Sequence, residues 1–458
     1  MKYHIIVFGC QMNISDSERI STVLENIKYK ITSNINEADL IVVNMCSVRQ
    51  SAVDRVHGLT QKFKKIRNTN PKLTTVLTGC VLKKDKKKFA NGFDYIIDIK
   101  DIVQLAEIAR QQIRSVPRKA ILHGSPKAKN CRELSEPRAG GTSASGELLP
   151  SDYLEIVPKY SNKFSASVPI MTGCNNFCTY CVVPYTRDRE ISRPAKEIIC
   201  EIKNLIKNGY KEIWLLGQNV NSYKDGKINF PKLLKMINNI PGDFWIRFTS
   251  SHPKDFNDKA IEAMKIGGKI TPYLNLPIQS GDDKILKLMN RHYTVAQYKN
   301  IIKKLKEKIP DICLSTDIIV GFPGETKKQF ENTVKLFKDV KYDMAYINKY
   351  SPRAGTAAEK LKDNVSIAEK KKRGKVLTEI LKQTALEHNK KLIGKRTTVL
   401  IEEKKNDFWI GKNKQYKTVK IINSKHLKTN ALIGKFVKVK ITEALAWALK
   451  GKIIKPNE

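Results

Sequence analysis

Long hydrophobic runs are missing from this 458-residue chain: none approaches the roughly 18 apolar residues that a membrane-spanning helix needs. No association with a membrane is therefore expected. No secretory leader is expected either, because Met1-Lys2 leads straight into a short strand-like run and then into polar residues, so a cytoplasmic location is expected. Acidic residues are few: 45 Asp and Glu stand against 84 Lys and Arg, a formal net charge of +39. That imbalance favours polyanionic partners, nucleic acid above all, although lysine drift spread over solvated faces would produce part of it. Cysteine is sparse, and the nine present are an odd number in a reducing compartment, which points to metal ligation or redox chemistry rather than a disulfide framework. What the chain does have is an ordinary globular balance, 41% hydrophobic and 28% charged, and enough length for two or three domains.

Residues 1–114 repeat one pattern: a short β-prone run, a cysteine, then a helical stretch. "YHIIVFGC" ends at Cys10, "DLIVVNMC" at Cys46 and "TTVLTGC" at Cys80. Such runs read as βα units of an open parallel sheet whose strand ends share one edge, so the three thiols converge into a metal site on the rim. Residues 115–150 change to Pro, Gly, Ser, Ala and Lys without apolar period and read as a flexible linker or insertion, in which Cys131 is a surface thiol.

From residue 160 to 392 six strand-like runs alternate with helical segments: "SVPIMTGC", "EIWLLGQNV", "FWIRFTSS", "YLNLPIQS", "ICLSTDIIVGF" and "MAYINKY". Six βα units predict a partial parallel barrel, open rather than a closed eight, with function on the loops after the strands. Residues 393–456 carry short alternating strands with basic turns and predict a small antiparallel β-barrel of the kind that often holds RNA.

The sharpest chemical signal is "GCNNFCTYC", which places Cys174, Cys178 and Cys181 in a C-x3-C-x2-C loop after the first barrel strand. Three thiolates bind three irons of a 4Fe-4S cluster and leave the fourth open to a reactant. Structural zinc wants four ligands, and the loop offers no histidine or fourth cysteine. Cys200, beside an apolar stripe of Ile199, Ile202 and Ile206, and Cys313, in a strand, read as packing residues. His252 in "SSHP" and the pair Asp282 and Asp283 fall on the active face, where a loop cap is at least as good a reading as contact with a ligand.

The cysteine loop at the mouth of a βα barrel resembles the radical S-adenosylmethionine (SAM) superfamily. With the three earlier cysteines and the terminal barrel, the chain is similar to the methylthiotransferase family, and "GCQMNISDSE", "NMCSVRQSA", "IWLLGQNVNSY", "LPIQSGDDKILKLMNR", "DIIVGFPGET" and "YSPRAGT" resemble its MiaB branch. The resemblance implies an α/β architecture of an N-terminal methylthiotransferase domain, a radical SAM core and a TRAM β-barrel. It implies SAM and two 4Fe-4S clusters, the second held by Cys10, Cys46 and Cys80. It also implies SAM contacts from Tyr180, Gly321 and Glu325, and the anticodon stem-loop of tRNA as substrate. The activity implied is conversion of N6-(dimethylallyl)adenosine at position 37 to its 2-methylthio derivative. One SAM methylates a sulfur on the second cluster, and the radical from another activates the carbon that receives it. An electron donor such as a flavodoxin or ferredoxin and a monomeric state go with the resemblance, and no catalytic residue is assigned beyond these.

Three features depart from the family pattern. Asp188 in "RDRE" stands where a glycine is usual, the linker is longer than the family generally uses, and "GKNKQYKTVKI" carries lysines where arginine is common, which suits phosphate contact better than bidentate recognition. Two other enzymes of the same chemistry compete, acting on threonylcarbamoyladenosine in tRNA or on a ribosomal-protein aspartate. "GQNVNSY" favours the isopentenyl branch. A non-catalytic iron-sulfur RNA-binding protein is the rival of another class, and it leaves two sets of three rather than four cysteines unexplained.

Overall fold

A computed structural model describes residues 1–114, 153–406, 408–422 and 432–454; the linker at 115–150, with Cys131, lies outside the described residues. The chain divides into two compact units, one of Met1–Ser161, Thr172–Asn175 and Cys181–Arg193, the other of Asn162–Met171, Asn176–Tyr180 and Pro194–Glu458.

The first unit is built on a parallel sheet with spatial order Lys30–Ile31, Lys2–Phe8, Leu40–Cys46, Thr74–Cys80, Tyr95–Ile96. Both faces are covered, which is why the central strand LIVVNMC is buried at every position and shows no polar alternation. Its Leu40 and Val42 pack with Ile20 and Leu24 of the helix Gln11–Asn26 and with Leu105 of Gln104–Arg114. Ile41 and Val43 face the other way, onto Val53, Val56 and Phe63 of the helix Gln50–Thr69. Helices leaving the adjacent strands Lys2–Phe8 and Leu40–Cys46 thus depart to opposite faces, and the loops between them part. Such a switch point is where open α/β sheets bind ligands.

In the second unit, Ser165–Pro169, Glu212–Leu216 and Trp245–Phe248 pair in parallel, as do Tyr273–Asn275, Cys313–Val320 and Met344–Lys349. A parallel bridge between Ile246 and Ile270 joins the two halves into the expected six-stranded partial barrel. Capping boxes at Thr294/Gln297 and Thr326/Gln329 start two of the outer helices, Val295–Lys308 and Lys327–Val340. In the helix Ala195–Lys207 the buried stripe is Ile198, Ile202 and Leu205, one position off the expected Ile199 and Ile206, and Cys200 is half-buried beside it. Cys313 is buried in its strand, as expected.

The long helix Ile367–Lys390 leads to a closed five-stranded barrel of Arg396–Lys405, Phe408–Asn413, Thr418–Ile422, Phe436–Ala444 and Leu449–Ile453 around Trp409, Val399, Ile401 and Ile441. The expectation of a purely antiparallel barrel is corrected at one seam, where Thr418–Ile422 pairs in parallel with Leu449–Ile453. Five is an odd number, so strand direction cannot alternate all the way round a closed ring.

The turn between Phe408–Asn413 and Thr418–Ile422 plugs the floor of the partial barrel, at the N-terminal ends of its strands. Buried Arg247 donates to the carbonyls of Asn413 and Lys414, both at 2.8 Å, and to Glu212 Oε1 at 2.6 Å. Tyr416 packs its ring 4.9 Å from those of Trp214 and Tyr273. Lys417 pairs with Asp343 at 2.6 Å, Lys414 Nζ reaches the Gly268 carbonyl, and Lys412 lies over Tyr416. The lysines of "GKNKQYKTVKI" expected to meet phosphate are therefore largely committed to internal docking.

Candidate active site

In the first unit, Cys46 and Cys80 are direct partners in the ladder between Leu40–Cys46 and Thr74–Cys80, and their buried thiols share a hydrogen bond. The two strands bring these sulfurs together because both runs end at the same level of the sheet. Gly79 makes the approach possible: its φ is +106°, and a Cβ there would meet the Met45 carbonyl oxygen at 2.3 Å. Cys10 caps the helix Gln11–Asn26 from the neighbouring strand end, with its backbone N–H and its thiol both directed at Asn13 Oδ1. Asn13 and Asn44 clamp that helix start to the sheet, Asn13 Nδ2 donating to Asn44 Oδ1 and Asn44 Nδ2 to the Asn13 carbonyl, each at 2.8 Å. Cys46 and Cys80 thus stand side by side at one sheet edge, and Cys10 follows the end of the adjacent strand Lys2–Phe8.

Sequence reasoning missed Arg187 as a partner of this site. Its Nε donates to Cys80 Sγ at 3.0 Å, one terminal nitrogen to Asp16 at 2.5 Å and the other to Tyr153 Oη at 3.2 Å. The Arg187 and Asp16 side chains are 2% and 0% exposed. The Cys80 thiol is drawn down to about 6, first by its hydrogen bond with Cys46 and then by the Arg187 guanidinium, against the opposing effect of burial. The proton shared by the pair stays with Cys46, whose ionisation is pushed well up. A thiolate held by a buried guanidinium is the form that ligates metal. Among the described residues no three His, Cys, Asp or Glu side chains are gathered for a single ion.

Cys174 follows the short strand Met171–Thr172 through Gly173, whose φ is +77° and whose Cβ would strike the Arg189 carbonyl at 2.0 Å. The Cys174 N–H donates to the carbonyl of Asp188, which itself has φ +59°. This is the position where the family pattern has glycine, and Asp is among the few side chains that tolerate such a conformation. Its carboxylate pairs with Lys100 at 2.7 Å.

In the second unit, Cys178 is buried and accepts from Arg291 Nη1 at 3.6 Å. Arg291, also overlooked in the sequence, is locked by Tyr293 Oη and the Pro277 carbonyl, each at 2.6 Å. Thr179 is tied to Leu288 and Met289, and Tyr180 packs against Ile285, Met289, Phe322 and Tyr350. The structure thus brings Tyr180 to the "GFPGE" turn. There Glu325 Oε2 accepts from the Gly321 N–H at 2.7 Å and from Arg373 at 2.6 Å, so Glu325 clasps the turn with a carboxyl raised by burial. Cys181, half-buried, belongs to the first unit. His252, Asp282 and Asp283 are indeed loop and helix caps: His252 Nδ1 accepts from the Lys254 N–H, Asp282 from Lys284 and Ile285, and Asp283 from Val295.

Three family models match: the radical SAM superfamily over residues 168–337, the uncharacterized protein family UPF0004 over 2–99, and the TRAM domain over 390–454. A relative from Thermoanaerobacter sp. is 39% identical over 464 residues, covering 99% of this chain and 92% of the relative. One from Clostridium tetani is 40% identical over 462 residues, covering 98% and 96%. Both bear the name tRNA-2-methylthio-N(6)-dimethylallyladenosine synthase. Among solved structures, the radical S-adenosylmethionine methyltransferase TsrM from Kitasatospora setae, with cobalamin and a [4Fe-4S] cluster bound, aligns at TM-score 0.52 and 14% identity. That alignment covers 78% of this chain and 74% of TsrM, a likeness of fold.

Proposed function

The chain belongs to the tRNA-2-methylthio-N(6)-dimethylallyladenosine synthase family, and on that premise we propose how its residues divide the reaction. The enzyme converts N6-(dimethylallyl)adenosine at position 37 of tRNA to the 2-methylthio derivative, using SAM and two 4Fe-4S clusters. Cys174, Cys178 and Cys181 hold the cluster that meets SAM, and Cys10, Cys46 and Cys80 hold the second. When bound, the clusters and SAM supply the electron, the carbon radical and the sulfur that the reaction needs.

The chain's own residues prepare these sites. Arg187 donates to the Cys80 sulfur and Arg291 to Cys178, while Asn13 and Asn44 fix the helix that presents Cys10. Tyr180 and Gly321 form an apolar, tightly turned wall suited to the adenine of SAM, and Glu325 holds that wall in shape. We assign these roles to domains at residues 1–114 and 160–392, with 393–456 as the TRAM barrel. A flavodoxin or ferredoxin as electron donor, a monomeric state and a cytoplasmic location complete the proposal; no described helix is long and apolar enough to cross a membrane.

What carries the assignment is the placement of two separate sets of three cysteines at or just after strand ends, since a 4Fe-4S cluster held by three thiolates keeps one iron open to a reactant. Anaerobic reconstitution with iron counting tests it. Replacing Cys174, Cys178 and Cys181 by Ala should abolish SAM cleavage and leave one cluster's iron. Replacing Cys10, Cys46 and Cys80 should leave cleavage and remove the methylthio product. Product from the second triple variant would overturn the division of roles.

A further inference from the structure

Buried side-chain atoms without a hydrogen-bond partner in the protein are unevenly placed in the second unit. Among its described residues there are seven, and six lie on three successive strand-end segments: Gln218 Oε1, Asn219 Oδ1, Asn221 Nδ2, Ser251 Oγ, His252 Nε2 and Asn275 Oδ1. This is the mouth of the partial barrel, and Ser250, within it, holds a left-handed φ of +62°. Unpaired buried polar atoms are costly and rare, so a group of them at a barrel mouth points to a ligand that completes them.

Their polarity is determined by what holds the other end of each side chain. Asn219 Nδ2 donates to Asp255 at 2.7 Å and Asn275 Nδ2 to Asp317 at 3.2 Å, so both leave an acceptor oxygen free. Asn221 Oδ1 accepts the backbone N–H of His252 at 3.1 Å, which leaves its NH2 group as a donor. His252 Nδ1 accepts from the Lys254 N–H at 3.2 Å, which puts the ring proton on Nε2. The imidazole stays neutral: burial first, then the nearby Arg291 and Lys254 charges, press its pKa down to about 2. His252 is 6% exposed, and its ring stands edge-on to Tyr293, the residue that locks Arg291 against Cys178.

Two donors on neighbouring strand-end segments of one rim, with acceptors on the same rim, match the edge of a purine, whose ring nitrogens accept and whose N6 keeps one hydrogen after prenylation. We propose that Asn221 and His252 are specificity-determining residues that donate to ring nitrogens of the tRNA adenine to be modified. The inference rests on the family reading above. SAM also carries an adenine, but the reading above assigns that adenine to Tyr180 and the "GFPGE" turn after the fifth strand, whereas this pair follows the second and third.

The test uses the reconstituted full chain and two binding measurements, anticodon stem-loop affinity and SAM affinity. Asn221→Asp keeps the oxygen that caps His252 and turns the free donor into an acceptor; His252→Phe keeps the ring against Tyr293 and removes the donor. Each should weaken the prenylated stem-loop about tenfold, the loss of a paired donor, and leave SAM affinity unchanged. Stem-loops with 1-deaza-, 3-deaza- or 7-deazaadenine in the prenylated base test the wild type without mutation. At least one should bind about tenfold more weakly to it, and equally to a variant lacking its partner. Lost SAM affinity with intact stem-loop binding would place the pair on SAM and overturn the proposal. So would a wild type indifferent to all three analogues, even if a variant fails to fold. A wild type that binds no prenylated stem-loop would overturn the family reading first, and this inference with it.

Discussion

The ring of Tyr416 lies 4.9 Å from the guanidinium carbon of Arg247, a contact between the turn of the terminal barrel and the interior of the radical SAM barrel. Arg247 is 1% exposed, its charge is paired with Glu212, and Tyr416 itself holds a left-handed φ of +62°. A non-glycine residue persists there only when its surroundings over-determine it. Tyr416→Ala is expected to remove a half-buried aromatic and lower stability by about 2–3 kcal/mol. Limited proteolysis should then cut between Lys390 and Arg396, freeing the terminal barrel. Unchanged thermal stability and protease resistance would show that the turn merely rests against the floor.

That plug was illegible in the sequence for a physical reason. "GKNKQYKTVKI" has the charge pattern of a phosphate-binding surface, and charge alone does not distinguish a lysine facing solvent from Lys417, which is closed onto Asp343. The cysteines were legible because spacing and strand ends are local properties: C-x3-C-x2-C needs no tertiary knowledge, and Val/Ile-rich runs fix where Cys10, Cys46 and Cys80 fall. Arg187 was not, since its partner Asp16 lies 171 residues away along the chain. The polarity of Asn221 and His252 was hidden likewise, because it depends on which end of each side chain the fold occupies.

The buried pair of Arg187 and Asp16 makes an asymmetric prediction. Arg187→Met leaves Asp16 buried without its ion-pair partner, and should cost about 3–5 kcal/mol of stability with loss of the iron we assign to Cys10, Cys46 and Cys80. The double change Arg187→Met with Asp16→Asn removes both charges and should recover much of that stability. It should not restore the iron, since Cys80 still lacks its cation. Chemical denaturation with iron counting checks both, and equal instability of the single and double variants would contradict the ion-pair account.

Asp188 should be improvable. Its φ of +59° strains a side chain where glycine would sit freely, and the ion pair it gains with Lys100 is between side chains 57% and 60% exposed. An exposed pair contributes only about 0–1 kcal/mol, whereas a left-handed φ costs about 1 kcal/mol even for Asp, which tolerates it better than most side chains. Asp188→Gly is therefore expected to raise stability slightly, by about 0.5–1 kcal/mol, and Asp188→Val to lower it. A lower thermal midpoint for the glycine variant would show that the ion pair outweighs the strain.

Glu402 gives the chain a pH-dependent joint. It is the extra residue of a bulge in Arg396–Lys405, where the pairing shifts between Ile401 and Glu403, and the bulge turns its carboxyl toward Arg247, Lys412 and Glu212. Burial pushes its pKa up to about 7; Lys412 and Arg247 oppose the rise, and Glu212 and Glu403 add to it. An unfolded glutamate titrates near about 4.3, so the folded chain binds the extra proton between about pH 4.3 and pH 7. The stability this confers is fully present below that window and is lost as pH rises through it. Glu402→Gln should therefore match the wild type at about pH 4 and exceed it above about pH 7, by about 1–2 kcal/mol once partial solvent exposure is allowed for. Urea denaturation of both proteins at about pH 4, 6 and 8 measures the difference, and a gap that did not widen with pH would mean that the carboxyl is solvated rather than held in the joint.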